Sequence, residues 1–287
     1  MSTPTRLAIE SIFHPSDFSE GSHVAFLHAL KLTLAARCRL RVLHVSPNDH
    51  ADWHDFPGVR DTLMRWKLIP KESSRGDVGH LGIDVKKVIT EGTDPVRSCV
   101  EFLENHPADL IVLAIHTDQG ARGWLRRHVG KPIAQHTGLM TLFIPHGVAG
   151  FVGRADGAVT LRQILIPTAR KPRHHRALDA ARRLIHSLGL TTGRITLLHV
   201  GDPGETPAVT LPDDIPGWTC ELLRKDGDPV PQILQTAQDL KADLMVMTTD
   251  GPDHFLDGVR GTTSERVLHH TPCPVLNIPA GTGVGMG

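Results

Sequence analysis

The chain carries no net charge: 31 basic residues are matched by 31 acidic ones over 287 positions. That balance removes the electrostatic basis for broad nucleic-acid binding, which rests on an excess of lysine and arginine to neutralise phosphates. Only four cysteines occur, Cys38, Cys99, Cys220 and Cys273, and none forms a CxxC pair. This usage fits reduced thiols in a cytoplasmic protein and excludes a disulfide framework. No apolar run is long enough to span a bilayer, and the opening stretch MSTPTRLAIESIFHPSD lacks the apolar core of a signal peptide. No membrane partner is expected. Nineteen histidines are present, yet none stands in HExxH or HxH spacing. No nucleophile elbow, Ser-His-Asp order or paired-carboxylate spacing emerges, so a dedicated hydrolytic enzyme is not expected.

What is present is the composition of a soluble globular protein, 40% hydrophobic and 22% charged, in a chain long enough for two domains. Ala8 to Phe13 reads as a first strand, halted by His14-Pro15-Ser16-Asp17. Ser16, Asp17 and Ser19 are good helix caps, and an apolar-periodic run follows from Val24 to Leu34. Leu40 to Val45 reads as a second buried strand. Between Asn48 and Gly82 the one helical candidate is Arg60 to Ile69. Asp84 to Ile89 is a third strand, and Asp94-Pro95 opens a helix from about Val96 to Asn105. Ala108 to Ile115 and Leu139 to Ile144 complete the set. Strands alternating with helices imply a parallel sheet with right-handed crossovers, hence an open doubly wound α/β fold.

After a glycine-rich connector the same grammar restarts. Ile164-Leu165-Ile166-Pro167 answers Ile12-Phe13-His14-Pro15, and Arg173 to Leu188 answers the first helix. Leu197-Leu198-His199-Val200 repeats Leu43-His44-Val45, and Asp228-Pro229 repeats Asp94-Pro95. Ala108 to Pro145 then aligns with Ala242 to Pro279 without a gap, while most of the Asn48–Gly82 region has no counterpart. The pattern is a tandem duplication. The expected layout is a first domain over residues 1–147, a linker over 148–159 and a second domain over 160–287.

The stretch Ala242 to Pro279 joins a buried strand, a glycine-bearing loop and a helix start. Bare backbone N–H groups and the helix dipole there favour a phosphate. Together with Ser16-Asp17-Phe18-Ser19, the two LHV strands, the ADLIV and ADLMV runs, Gly251 nine residues ahead of Gly261-Thr262, and Pro272-Cys273-Pro274-Val275-Leu276, the chain resembles a tandem member of the universal stress protein family. The resemblance covers nearly the whole chain. It implies two five-stranded parallel sheets in the order 3-2-1-4-5, an adenine-nucleotide α-hydrolase-like, Rossmann-like architecture. It also implies pairing of the two domains through their fifth strands, and it leaves open a homodimer and an unidentified protein partner. Some family members bind ATP and others do not.

ATP-binding relatives share G-x-x-G-x9-G-[ST] and an aspartate just after the first strand. In the second half Gly251, Gly261 and Thr262 match, Thr263 stands beside them, and Thr248 replaces the first glycine. The resemblance thus implies an ATP site, with Mg²⁺ as its companion ion, formed by Pro167, Thr168, Val200, Thr248, Gly251, Gly261, Thr262 and Thr263. The aspartate position is Ala169, followed by Arg170 and Lys171. The first half is the reverse: Asp17 is present, but Ala114 and Thr117 hold the early glycine positions and Arg127-His128 the Gly-Thr positions.

Each feature has a plainer alternative. The second-half loop reads equally as a tight turn with a threonine cap, and Asp250, Pro252 and Asp253 oppose a strong anion site unless Mg²⁺ mediates. Asp17 reads as a helix cap or a ligand contact. Arg122, Arg126, Arg127 and His128 read as a solvated helix end or a second anion site. His44 and His199 read as structural. His174-His175 and His269-His270 are adjacent pairs that diverge on a helix, against a metal site assembled across the fold. The functional expectation is a stress-response regulator that binds an adenine nucleotide in its second half. The alternative is a ligand-free scaffold, with a slow ATP hydrolase behind both.

Overall fold

A run of apolar residues closed by a proline organises the first half. In the computed structural model, which describes residues 9–47, 52–115, 130–169, 175–202, 204, 215–249 and 262–279, this run is β1 (Ser11–Pro15), buried along its whole length. Burial on both faces is what a parallel strand between helical layers requires. Ser19 caps α1 (Glu20–Ala36) by accepting the Ser22 N–H, and Arg37 closes the helix in the left-handed conformation with its N–H on the Thr33 carbonyl. β2 (Arg39–Ser46) follows and pairs in parallel with β1.

The excursion after β2 holds two short helices, α2 (Val59–Arg65) and α3 (Arg75–His80), before β3 (Asp84–Glu91) pairs in parallel with β2. α4 (Pro95–Asn105) starts on Asp94, whose carboxylate accepts the N–H groups of Val96 and Arg97. β4 (Leu110–Ile115), α5 (Gly130–Thr137) and β5 (Met140–Pro145) complete the half. Its strand order is β3-β2-β1-β4-β5.

The second half repeats the scheme with β6 (Gln163–Thr168), α6 (His175–Ser187), β7 (Gly193–Val200), β8 (Trp218–Lys225), α7 (Pro229–Asp239), β9 (Leu244–Thr249), α8 (Thr263–Leu268) and β10 (Val275–Pro279). The order is β8-β7-β6-β9-β10, so the doubly wound 3-2-1-4-5 arrangement recurs. The chain divides into two compact units, residues 8–137 with 141–160, and residues 161–287 with 138–140. Among the described residues no helix is long and apolar enough to cross a membrane.

The structure departs from the sequence reading at several points. β1 runs through His14 and Pro15, which read as a stop. Ser16 donates to Leu43 on β2, so Pro15 faces the opposite neighbour, β4, and there the pairing covers Ile12 and Phe13. The missing N–H therefore costs no ladder bond. α1 begins at Glu20 instead of Val24, and α2 stops at Arg65 instead of Ile69. α3 was not expected; a capping box between Ser74 and Asp77 holds it. β8 was not assigned either, because its half-exposed alternation gives no continuous apolar run.

Residues 148–159, read as a linker, fold onto the first unit. Phe151 is buried, Thr160 donates its N–H to the Phe151 carbonyl, and Val152 forms a bridge with Val159. Arg65 Nε and the Trp66 indole N–H both donate to the Arg154 carbonyl, at 2.9 and 3.3 Å. Gly157 has a φ of +67°, and a Cβ there would meet the Trp66 ring at 2.5 Å.

Candidate functional site

Two of the repeated motifs turn out to be structural. In the first ADL motif, Asp109 Oδ2 accepts the N–H groups of Glu10 and Ser11 at 2.8 and 3.0 Å. In the second, Asp243 Oδ2 accepts those of Arg162 and Gln163, both at 2.8 Å. Each aspartate thereby secures the start of the central strand, β1 or β6, from the strand beside it. In the LHV motifs, His44 Nδ1 lies 2.7 Å from the Ser16 carbonyl and His199 Nδ1 lies 3.4 Å from the Thr168 carbonyl. The histidines tie the second strand of each half to the end of its central strand, as the structural reading held.

In an open parallel sheet, ligands bind at the carboxyl ends of the strands where the winding reverses. In the second half that point lies between β6 and β9. β6 pairs with β9 at Ile164↔Leu244 and Leu165↔Met245, and Thr168 is opposite His199 on β7. Pro167, Thr168, Val200 and Thr248 thus all stand at carboxyl ends of adjacent strands. Thr168 is buried with its hydroxyl donating to the Leu198 carbonyl at 3.2 Å, and Thr248 is also buried. Ala169, at the position where the resemblance implies an acid, is exposed and offers no acceptor side chain.

Thr262 caps α8 with a complete capping box. Its hydroxyl accepts the Glu265 N–H at 3.3 Å, and its own N–H donates to Glu265 Oε2 at 3.2 Å. The Glu265 carboxylate therefore sits on a backbone donor that a phosphate at this position would use. Thr263 is the first residue of α8 and is exposed. The chemistry of this donor set, hydroxyls and backbone N–H groups among small side chains, fits a phosphate ester, with Glu265 opposing it. Gly251, Gly261, Asp250, Pro252, Asp253, Arg170 and Lys171 lie outside the described residues, as do Thr117, Arg122, Arg126, Arg127, His128 and His174.

In the first half the strand ends next to the equivalent corner, those of β1 and β2, are covered by the chain itself. Asp17 is not the helix cap; its Oδ1 accepts the Ser19 N–H at 3.0 Å, and Ser19 caps α1. Phe18 adopts φ of 61°, a costly conformation for a bulky residue. Its ring stacks on His44 with centroids 3.9 Å apart and meets Phe56 edge-on at 5.0 Å. The stack lies at the carboxyl ends of β1 and β2, and Phe56 comes from the excursion that the second half lacks. Below it, Ser22 Oγ reaches Ser16 Oγ at 3.1 Å and His14 Nε2 at 3.5 Å, while His14 Nδ1 is 2.8 Å from the Val112 carbonyl. His14 is fully buried, and loss of hydration pulls its pKa down to about 4.

Sequence reasoning missed Phe18, Phe56 and Glu265. Glu265 was legible as the last residue of a T-x-x-E capping box, three positions after Thr262. The aromatic stack was not, because Phe18 and Phe56 are joined only by the path of the chain. Cys99 and Cys273 are buried thiols pushed up to about 12 by desolvation, which makes them inert core groups. Among the described residues no group of three or more histidine, cysteine, aspartate or glutamate side chains is placed to hold a metal ion.

Comparison with known proteins agrees with this architecture. Over 148 residues, 45% of the chain, it is 25% identical to the universal stress protein Sll1654 of Synechocystis, of which it covers 92%. The crystal structure of a universal stress protein from Archaeoglobus fulgidus superposes with a TM-score of 0.60 at 18% identity, covering 94% of this chain and 98% of the other. A second, described as a putative universal stress protein from Pseudomonas aeruginosa, superposes with a TM-score of 0.60 at 16% identity over 95% and 94% of the two chains. At these identities the likeness speaks for the fold alone. The profile of the universal stress protein family matches residues 9–145 and 214–279, more than half of the sequence, and the chain belongs to that family.

Proposed function

We propose that the second half binds an adenine nucleotide, ATP with Mg²⁺ in the first instance, and that occupancy of this one site regulates what the protein presents to a partner in a stress response. The observation that carries the proposal is the set of hydroxyls and backbone donors at the second-half corner: Thr168 and Thr248 at the strand ends and Thr262 at the start of α8. At the carboxyl ends of β6 and β9 the side chains are the small hydroxyls Thr168 and Thr248; in the first half, beside the corresponding Ser16 and Ala114, Phe18 stacks on His44 and meets Phe56 over the ends of β1 and β2. The site is single and asymmetric. Since Ala169 supplies no acceptor for the nucleoside, phosphate contacts carry more of the affinity than base or ribose contacts. We read the protein as a binder, not a dedicated hydrolase: the sequence offers no catalytic constellation, and a bare phosphate cradle gives slow turnover at best. Its four thiols are free, which suits the reducing cytoplasm.

The second reading, a ligand-free scaffold, draws on the Glu265 carboxylate already bonded to the Thr262 N–H. Calorimetric titration of the purified chain with ATP, with and without Mg²⁺, separates the two. Saturable binding that needs Mg²⁺ and disappears in Gly261→Glu supports the nucleotide reading. Absence of binding by ATP, ADP and AMP at millimolar concentration leaves the scaffold.

A further inference from the structure

We propose that the first half captures an extended acidic peptide segment of a partner protein by strand addition to the outer edge of β3. β3 ends its sheet, with β2 as its strand neighbour among the described residues. Asp84 donates its N–H to the Cys38 carbonyl at 3.3 Å and Gly92 donates to Ser46 at 2.9 Å, and the pairing between them runs without a bulge. Because strand residues alternate, the even-numbered residues spend their backbone groups on β2 and the N–H and C=O of Val85, Lys87 and Ile89 point to the free edge. A cleft of about 770 Å³ lies along that edge, lined by every residue from Ile83 to Val88. Consecutive strand residues face opposite sides of a sheet, so a single cleft touching all six runs along the backbone edge.

The opposite wall belongs to the excursion that the second half lacks: Trp53, Phe56, Arg60 and Val78. Trp53 is 56% exposed although its ring stacks on Phe56 at 5.8 Å, a flat apolar surface turned to solvent. Lys87 Nζ sits 5.7 Å from the centre of the Phe56 ring. The charge in the cleft is positive. Lys86, Lys87 and Arg60 face Asp61, while the other lining acid, Asp84, is bonded to Arg41 at 2.9 Å from outside the cleft. An extended chain laid here meets unpaired backbone groups on one side, aromatic surface on the other and lysines at its side-chain positions, which calls for acidic residues alternating with apolar ones. Edge-to-edge pairing of β3 with a second copy is disfavoured, because it sets the Lys86-Lys87 pair of one chain against that of the other.

The test uses the full chain and a fluorescein-labelled, end-blocked hexapeptide of alternating valine and glutamate, read by fluorescence anisotropy. Saturable binding is expected, weakened about tenfold or more by Lys87→Glu and by Val85→Pro, which removes one outward N–H and no bond to β2. The same peptide N-methylated at alternate residues, or with lysine for glutamate, is expected not to bind. No saturable binding at millimolar peptide overturns the proposal, as does equal binding of the methylated or the lysine peptide. These two peptides decide the matter on the unaltered protein, should either variant fail to fold.

Discussion

His28 and Phe151 are joined across 123 residues of chain: the Phe151 N–H donates to His28 Nε2 at 3.0 Å. Nδ1 of the same ring is 2.8 Å from the Val24 carbonyl, so the neutral tautomer, with Nδ1 donating and Nε2 accepting, satisfies both bonds. The Phe151 ring stands edge-on to the imidazole with centroids 4.6 Å apart. One buried histidine thus clips the segment that follows β5 to the face of α1.

Protonating His28 forfeits the Phe151 bond, and burial lowers its pKa to about 4, as it does for His14. A depressed histidine pKa leaves stability at its full value above about pH 6.5, where both states are neutral. Stability then falls with pH down to about 4, because the unfolded chain takes up the proton first. Between pH 6.5 and 5 each histidine contributes a slope of up to about 1.4 kcal/mol per pH unit. Urea unfolding across that range checks it, with His28→Gln expected to reduce the slope by up to about 1.4 kcal/mol per pH unit. An unchanged slope in the variant would exclude His28 as a source.

Gly150 lies beside this clip with φ of +70°, and its Cβ position is taken by the His28 ring. Gly150→Ala combines left-handed strain of about 1–2 kcal/mol with displacement of that ring. The expected loss is at least ~2 kcal/mol in urea unfolding, accompanied by faster exchange of the Phe151 amide. A change within about 0.5 kcal/mol, the range of an ordinary surface substitution, would count against the clip.

Asp109 and Asp243 each hold two backbone N–H groups at the head of a central strand. Replacing either by alanine leaves two donors without their charged acceptor, at a cost of about 1–3 kcal/mol. Comparable losses are expected from the two variants, measured as shifts of the urea midpoint at constant slope. An effect confined to one half would show that the equivalence of the two motifs is geometric only.

Glu265→Gln keeps a side chain able to complete the capping box but removes the charge beside the Thr262 N–H. If nucleotide binds at the second half, the variant is expected to hold ATP several-fold tighter, about 1 kcal/mol in calorimetry. Weaker binding would instead assign the carboxylate a favourable part, such as holding Mg²⁺.

Much of the fold was legible because its signals are local. Alternating apolar runs, Asp-Pro helix starts and the repeat itself returned five strands per half in the expected order, apart from the unassigned β8. Its outward half is polar, so Trp218 to Lys225 shows no run to detect. Residues 148–159 read as a linker because three glycines interrupt the stretch, and Phe151 gave no sign that His28 would receive it. The candidate site was legible only where a threonine or a glycine stands in a motif. Glu265 was present in the same motif, but its role depends on where its carboxylate lands.

The sequence by itself determined the α/β class and the duplication, because periodicity, capping chemistry and repeated spacing are properties of neighbouring residues. Only the tertiary structure decided which repeated residues are structural: Asp109 and Asp243 act on strands about 80 to 99 residues away, a relation no spacing rule encodes. It also decided that the ends of β1 and β2 are covered, since Phe18, His44 and Phe56 meet only when the excursion after β2 folds back over the sheet. In the stretch from Ala242 to Pro279, sequence supplied the donors, and folding placed Thr248 near the carboxyl end of β9 beside β6 and set the Glu265 carboxylate on the Thr262 amide.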